Sequence, residues 1–476
     1  LFPAIHAIES SITVRLQRPM SRNLVHAPFK YSGFLVVIAV ATMATLFAGA
    51  ATAQMIGDIV DVSDNFRDTN STYFVAAKVA DFDAEKGTGR IEWQRYVRQP
   101  SLSFNKLDTP FVRGQSTEFP ATEYDRDPSL PFAIDFVSPR AVRLRFATRD
   151  VPLADRESLM LAGPVPKDEG WRVAEADGKV TYTSSAGRVV LTKDPWRIQF
   201  FDADGRLLTE TQSLNNPATF SAPTPFSFVR RARDLGRSTA ANFRLAPDEK
   251  IFGCGESFTR LDKRGQKVVL YVRDAMGAQS QRMYKPIPFF LSSRGYGMFV
   301  HTSTPVAFDF GQDFDQSNVI HTGDEELDLF VFFGSPKEIV SEYTAVTGRS
   351  PVPPLWSFGL WMSRITYKSE VEVRDVAQKL REHEIPTDVI HLDTGWFEVD
   401  WQCDYKFAPS RFDDPAKMIS DLKKDGFRVC LWQLPYFSSK NALYKDAAEQ
   451  GYFVKGGGDW PAEDGIVDFS NPQARE

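Results

Sequence analysis

Hydrophobic and polar residues change their spacing once along this chain, close to a proline-rich junction. Upstream of it, from about Gly57 to Val346, they alternate in short runs such as Ala141-Val142-Arg143-Leu144-Arg145-Phe146, Lys179–Thr183, Arg188–Leu191 and Trp196–Phe201. A period of two sends successive side chains to opposite faces of a strand. Trp196–Phe201 runs into Asp202-Ala203-Asp204-Gly205, and Gly, Pro and Asp turn signals interrupt the neighbouring runs as well. Many short strands broken this way predict an antiparallel β-sandwich over residues 54–347. The one helix of convincing length in that span, Pro336–Val346, lies at its end.

The junction is Gly348-Arg349-Ser350-Pro351-Val352-Pro353-Pro354, which can continue neither a helix nor a central strand. Beyond it the period becomes helical. Ser369 with Glu372 makes a capping box, and Val373, Val376, Ala377 and Leu380 share one face before Pro386. A second helix starts at Asp414-Pro415, turns Met418, Ile419 and Leu422 inward and stops at Gly426. Strands are predicted at Trp356–Ser363, Asp388–Thr394 and Arg428–Phe437. Strand, helix, strand, helix, strand at this spacing means parallel β/α units. Residues 348–476 are expected to be the first part of an incomplete (β/α)8 TIM barrel, a reading that needs more than periodicity, because a doubly wound sheet satisfies the same period. The expected whole is multidomain, with the barrel left open and its edge strands prone to aggregate.

The N-terminus reads as a targeting segment. Arg15, Arg18, Arg22 and Lys30 precede an uncharged apolar run from Phe34 to Ala53, ending in Ala51-Thr52-Ala53 before Gln54. The run is long enough for a membrane anchor, but its last residues are small and weakly hydrophobic. A signal peptide over residues 1–53, cleaved after Ala53, is expected, giving a periplasmic or secreted product without stable membrane association. A net charge of −6 argues against nucleic acid or anionic membrane as main partner. The 3 cysteines, Cys254, Cys403 and Cys430, form no complete disulfide framework, although one bridge stays open. With 6 scattered His and no ligand spacing, neither metal nor cofactor is expected. The 38 Phe residues are assigned mainly to core and sheet packing.

Asp393 is the leading candidate for chemistry. It ends the apolar run Asp388-Val389-Ile390-His391-Leu392, and a carboxylate leaving a buried strand meets the rim where β/α folds build sites. There it can accept hydrogen bonds from sugar hydroxyls, or equally cap the following loop. Trp396 and Phe397 follow it, and flat aromatic faces suit a pyranose ring. Trp361 and Trp432 stand at the ends of the first and third predicted strands, which would put aromatics on one rim; either also suits a core. Asp404 is read as structural, ordering its loop, and Cys403 lacks a basic neighbour to hold it as thiolate. Phe252-Gly253-Cys254-Gly255-Glu256 and Leu261-Asp262-Lys263-Arg264-Gly265 lack the Gly-Lys-Ser/Thr ending of a phosphate loop, and tight turns account for their glycines.

These two motifs also belong to a longer series. With Pro286-Ile287-Pro288-Phe289-Phe290-Leu291-Ser292, Arg294-Gly295-Tyr296-Gly297, Pro354-Leu355-Trp356-Ser357-Phe358-Gly359-Leu360-Trp361 and His391-Leu392-Asp393, the span Ala246 to Glu476 resembles glycoside hydrolase family 31. The resemblance implies an N-terminal β-sandwich, a catalytic (β/α)8 barrel and further β-domains. It also implies that Asp393 binds hydroxyls of the sugar before the scissile bond and that Trp432 lines its pocket. Trp361, Arg364 and Trp396 carry over from the same rim. Retaining chemistry needs two carboxyl groups about 5–5.5 Å apart. In the family these are an Asp in a Lys-x-Asp motif on the fourth strand and a later Asp. Neither group is found on such a fourth strand here, and Asp400, Asp404 and Asp468 match neither position, so no catalytic residue is assigned. Val467-Asp468-Phe469-Ser470-Asn471-Pro472 resembles the approach to that fourth strand.

The expectation is thus a fragment, inactive alone, of a retaining α-glycosidase acting on terminal α-linked sugars of an oligosaccharide or α-glycoside. Gln402-Cys403-Asp404-Tyr405, Cys430-Leu431-Trp432 and Gly451-Tyr452-Phe453-Val454-Lys455 look most like the α-xylosidase branch. Thr394-Gly395 departs from it, since bulkier residues are usual there, and leaves α-glucosidase or transglucosidase activity open. A non-catalytic carbohydrate-binding protein on a degenerate barrel is the rival from another class.

Overall fold

The computed structural model describes residues 60–476, apart from 104–105, 115–126, 156, 213–224, 273–283, 400–401, 435 and 455–464. The expected signal peptide and its cleavage position after Ala53 lie outside the described residues.

Alternation builds the N-terminal region as β-sheet. A fourteen-stranded antiparallel sheet runs from Ile251–Gly255 at one end to Lys267–Leu270 at the other, with Ala141–Ala147 and Ser129–Ser138 near its middle. A second antiparallel sheet of five strands covers it, spanning Arg172–Ala176 to Leu207–Glu210. The strand Ala141–Ala147 shows how the period of two is used. Val142, Leu144 and Phe146 enter the core shared with Val180, Val189, Leu191, Ile198 and Phe200 of the smaller sheet. Arg143 and Arg145 face the other way and pair with Asp328 and Asp135. Aromatic residues fill the layer between the sheets. Trp93, Trp196, Phe146, Phe226 and Phe228 lie at ring separations of 4.5–5.6 Å.

The motif Phe252–Glu256 is not a turn, as its glycines suggested, but a bulged edge strand. The register shifts between Gly253 and Gly255, and both adopt positive φ, +117° and +79°. A Cβ on Gly253 would sit 2.7 Å from the carbonyl oxygen of Phe289, so the neighbouring strand itself requires glycine. Cys254 between them is buried. None of the three cysteines is bridged.

The helix Pro336–Thr347 carries a complete capping box, Ser335 with Glu338, and Pro at its start. Ile339 and Val346 anchor it to Phe299, Phe330 and Phe332 on the outer face of the large sheet. After the prolines come three parallel strands, Trp361–Arg364, Val389–Leu392 and Arg428–Leu431, side by side in that order. Helices Glu370–Glu382 and Pro415–Lys424 connect them, with the caps Ser369 and Asp414 read from the sequence. Their apolar faces pack with Ile390, Leu392 and Phe427 in a core separate from that of the β region.

All three strands are shorter than the sequence suggested, the second running only from Val389 to Leu392. Leu355–Phe358 forms a 3-10 turn fastened by the Ser357 hydroxyl on the Pro354 carbonyl at 2.8 Å, so the first strand starts only at Trp361. The third ends at Leu431. Tyr436–Phe437 pairs instead, antiparallel, with Gly465–Ile466.

One buried group in the β region makes stability depend on pH. His321 packs its ring against Phe66 at 5.0 Å, and its Nδ1 is buried without a hydrogen-bond partner. Burial pushes its pKa down to about 4. Folded, His321 stays neutral to that pH, whereas unfolded it protonates near 6.5. The unfolded state therefore holds more protons between pH 6.5 and 4, and stability falls as pH drops through that window. His321→Phe is expected to remove roughly 1–3 kcal/mol of that loss at pH 4. Thermal melts of both proteins across the window measure it; parallel pH profiles would refute the assignment.

Candidate functional site

Parallel strands align their ends, and the register decides which residues share an edge. Arg364, Leu392 and Leu431 are paired across the three strands, so Asp393 and Trp432 leave adjacent strands one residue later. The Trp432 N–H still donates to the Leu392 carbonyl at 2.8 Å, which ties the two exits together. Arg364, Asp393 and Trp432 thus gather at one edge.

Asp393 is half-buried and does two things at once. Its Oδ1 accepts the Thr394 N–H at 2.7 Å, capping the short 3-10 turn Thr394–Trp396. Its Oδ2 has no partner among the described residues, leaving a carboxylate oxygen free for a hydroxyl. Arg364 is half-exposed, with Nη1 3.2 Å from Glu372 Oε1 and its guanidinium 4.7 Å from the Tyr367 ring centre. The ion pair and the aromatic face hold it in place while leaving part of the fork exposed. Trp432 is partly buried, 6.4 Å from the Phe397 ring and edge-on to it.

Of the other expected rim residues, Trp361 is elsewhere and Trp396 is buried. Trp361 pairs in register with Val389 and Arg428, at the opposite end of the strands. Three residues of strand separate it from the Asp393 edge, about 10 Å. Its indole donates to the Ser357 carbonyl at 3.1 Å, and its ring lies 6.2 Å from Trp356. The cause is the late start of the first strand. Trp396 is near the site but is no platform, being 4% exposed, with Phe397 at 0%. Its ring packs 4.2 Å from Phe397 and 5.0 Å from Phe407, and Nε1 donates to the Trp432 carbonyl at 2.8 Å. The 3-10 turn after Asp393 folds these aromatics under the loop, where they plug the core.

The loop is held by residues to which the sequence reading gave no individual role. Tyr405 donates its hydroxyl to the Leu434 carbonyl at 2.8 Å, and Asn441 donates to the Cys403 carbonyl at 3.1 Å. Ser363 and His391, on neighbouring strands, are hydrogen-bonded at 2.9 Å. Asp404 accepts from the Lys406 N–H at 3.2 Å, ordering its own turn, and Cys403 is buried in the core. Asp400 and Trp401 lie outside the described residues. Among the described residues no three His, Cys, Asp or Glu side chains gather to hold a metal ion.

Thr366 is the most consequential of these. Its Oγ1 accepts the Gly395 N–H at 2.7 Å, and a Cβ on Gly395 would collide with the Thr366 side chain and sit 2.9 Å from the Tyr367 carbonyl. Thr366 thus fills the space beside the Gly395 α-carbon. The signal was present, since an isolated glycine at a strand exit marks close backbone approach. Gly395→Ala is expected to cost about 1–3 kcal/mol, and Thr366→Ala in the same chain to recover part of it. Denaturant melts of the four proteins decide this; additive effects would mean the two residues do not meet.

The chain's similarities follow the same division. Residues 131–309 match the glycosyl hydrolase 31 N-terminal galactose mutarotase-like domain, and residues 350–476 match the glycosyl hydrolases family 31 TIM-barrel domain. The likeness therefore reaches well upstream of Ala246, where recognisable motifs began. Alpha-xylosidase XylQ of Lactiplantibacillus pentosus is 35% identical over 293 residues, covering 59% of this chain and 37% of that protein. Alpha-glucosidase 2 of Bacillus thermoamyloliquefaciens is 29% identical over 321 residues, covering 64% and 38%. A Flavobacterium johnsoniae GH31 dextranase, solved with glucose, superposes with a TM-score of 0.63 at 24% identity, over 84% of this chain and 45% of its own. That structural likeness speaks for the fold alone. The chain spans well under half the length of these curated relatives.

Proposed function

The chain belongs to glycoside hydrolase family 31, and from that premise we propose that it carries the sugar-gripping part of a retaining α-glycosidase site. One observation supports this most directly: a carboxylate with one oxygen free, Asp393, stands beside Trp432 at the shared edge of three parallel strands. We read those strands as the first units of a (β/α)8 barrel whose rim holds the substrate. Asp393 then accepts hydrogen bonds from hydroxyls of the sugar before the scissile bond, Trp432 walls the pocket, and Arg364 donates from the neighbouring strand end. Trp396 acts beneath this surface, by fixing Trp432.

The catalytic carboxyl pair is assigned outside these 476 residues. Asp404 and Asp468, which the motifs already excluded, are committed to their own turns. Asp468 accepts from the Ser470 hydroxyl at 2.5 Å and its N–H at 2.9 Å, which holds its carboxyl below the usual range. We favour α-xylosides as substrates. The likeness to Alpha-xylosidase XylQ supports that choice, and Thr366 occupies the volume that Gly395 would otherwise have given to a hydroxymethyl group. The basic residues followed by the apolar stretch through Ala53 support a place outside the cytoplasm.

Rates on aryl α-xyloside and aryl α-glucoside test the reading. The protein encoded by the full reading frame is expected to prefer the xyloside at least about tenfold, the scale on which one CH2-sized group is discriminated. The 476-residue chain is expected to turn over neither. A glucoside preference would move the assignment to the α-glucosidase branch, and a full frame without a carboxyl pair would leave a binding protein.

A further inference from the structure

Apart from the residues of the parallel sheet, the β region assembles three residues from distant parts of the chain. His301 Nδ1 lies 2.7 Å from Asp328 Oδ2, and His301 Nε2 lies 2.7 Å from Ser158 Oγ. They line a cavity of about 390 Å³, shared with Arg145, Met160 and Thr302. We propose that Ser158, His301 and Asp328 form a nucleophile–base–orienter array that hydrolyses small acyl esters, an activity separate from glycoside chemistry.

Hydrogen bonding fixes which ring nitrogen of His301 faces the carboxylate and which faces the serine. Burial pushes the Asp328 carboxyl up, but hydrogen bonds from Arg143 and His301 outweigh it and hold the group below its usual range, so it stays ionised. A carboxylate only accepts, so His301 must donate from Nδ1 and accept at Nε2 in its neutral form. The Ser158 hydroxyl proton then points at a free base, the arrangement that activates a serine. Arg143 grips both oxygens of Asp328, Nε to Oδ1 and Nη2 to Oδ2, each at 2.7 Å. That grip makes Asp328 a positioning residue and, by sharing its charge, weakens its support for an imidazolium, so slow turnover is expected. The Leu159 N–H, next to the nucleophile, donates to no group among the described residues. The Met160 N–H reaches Ser158 Oγ at 3.1 Å.

The step balances without a further reagent. Ser158 Oγ bonds to the ester carbonyl carbon as its proton moves to His301 Nε2. The carbon–alkoxy bond breaks, and the alcohol leaves with that proton. Water then adds to the acyl-serine, passing a proton to Nε2, and the acyl–Oγ bond breaks to release the acid while Oγ regains its proton. The cavity is sized for a short acyl chain and its alcohol.

A serine-directed fluorophosphonate probe, followed by peptide mapping of the 476-residue chain, tests the assignment alongside p-nitrophenyl acetate hydrolysis. Labelling is expected at Ser158 and to vanish in Ser158→Ala, with ester hydrolysis falling roughly 100-fold. Ser158 sits in a half-exposed loop, so this variant should melt like the parent, and its melting temperature is read in parallel. His301→Gln should lose labelling while Ser158 remains. Asp328→Asn should lower the rate about tenfold and shift the ascending limb of the pH–rate profile to lower pH, which a packing role would leave in place. An unlabelled Ser158, or Ser158→Ala hydrolysing at the parental rate, would overturn the proposal.

Discussion

Replacing Asp393 by asparagine in the protein encoded by the full reading frame is expected, on the proposed reading, to lower kcat/KM on aryl α-glycosides about 1,000-fold or more while leaving thermal stability nearly unchanged. The two halves of that result come from the two oxygens. Oδ1 caps the Thr394 N–H at 2.7 Å, and an asparagine carbonyl can keep that bond. Oδ2 has no partner among the described residues, and on the proposed reading it serves the ligand, where a charge-assisted hydrogen bond contributes about 1.5–3 kcal/mol and two hydroxyls can share the carboxylate. Losing that charge, and presenting an amide donor to a hydroxyl, amounts to about 4 kcal/mol, or about 1,000-fold. Asp393→Ala adds the loss of the cap and is expected to destabilise by about 1 kcal/mol as well. Kinetics and melts of both variants separate the roles. An asparagine variant with parental kcat/KM would show that Asp393 is only a cap, and the sugar site would have to be sought elsewhere.

That dual role also marks what the sequence could and could not disclose. The helices of the parallel region were legible because their signals are local: Ser369 with Glu372, and Asp414 with Pro415, act within four residues. The β character upstream was legible from alternation, but the order of fourteen strands was not, since pairings such as Ala141 with Phe332 join residues far apart in sequence. Strand ends failed where a local turn competed. Leu355–Phe358 is apolar enough for a strand, yet it follows two prolines and closes into a 3-10 turn, which moved Trp361 to the wrong end. Exposure was also hidden. Aromatics after Asp393 read equally as platform or plug, and only the packing on Phe407 and the bond to Trp432 decides for plug. Ser158, His301 and Asp328 left no signature at all, because no local spacing joins them.

The plug and the wall should therefore fail in opposite ways. Trp396→Ala removes a large side chain that is 4% exposed, and truncating a buried Trp costs about 3–5 kcal/mol, enough to threaten folding of a domain with ordinary stability. Trp396→Phe restores most of the volume and loses the Nε1 bond to the Trp432 carbonyl, so roughly 1–2 kcal/mol is expected, with a small rise in KM through a less fixed Trp432. Trp432→Ala removes a partly buried ring at the edge where Asp393 leaves its strand, so its stability cost should be below that of Trp396→Ala. Its kinetic cost should be larger: losing an aromatic wall against a pyranose face raises KM about tenfold or more. The comparison needs only denaturant melts and KM for the three variants on one aryl glycoside. If Trp396→Phe raised KM as much as Trp432→Ala while melting like the parent, the buried tryptophan would be touching sugar, and the packing of its ring against Phe397 and Phe407 could not be the arrangement in solution.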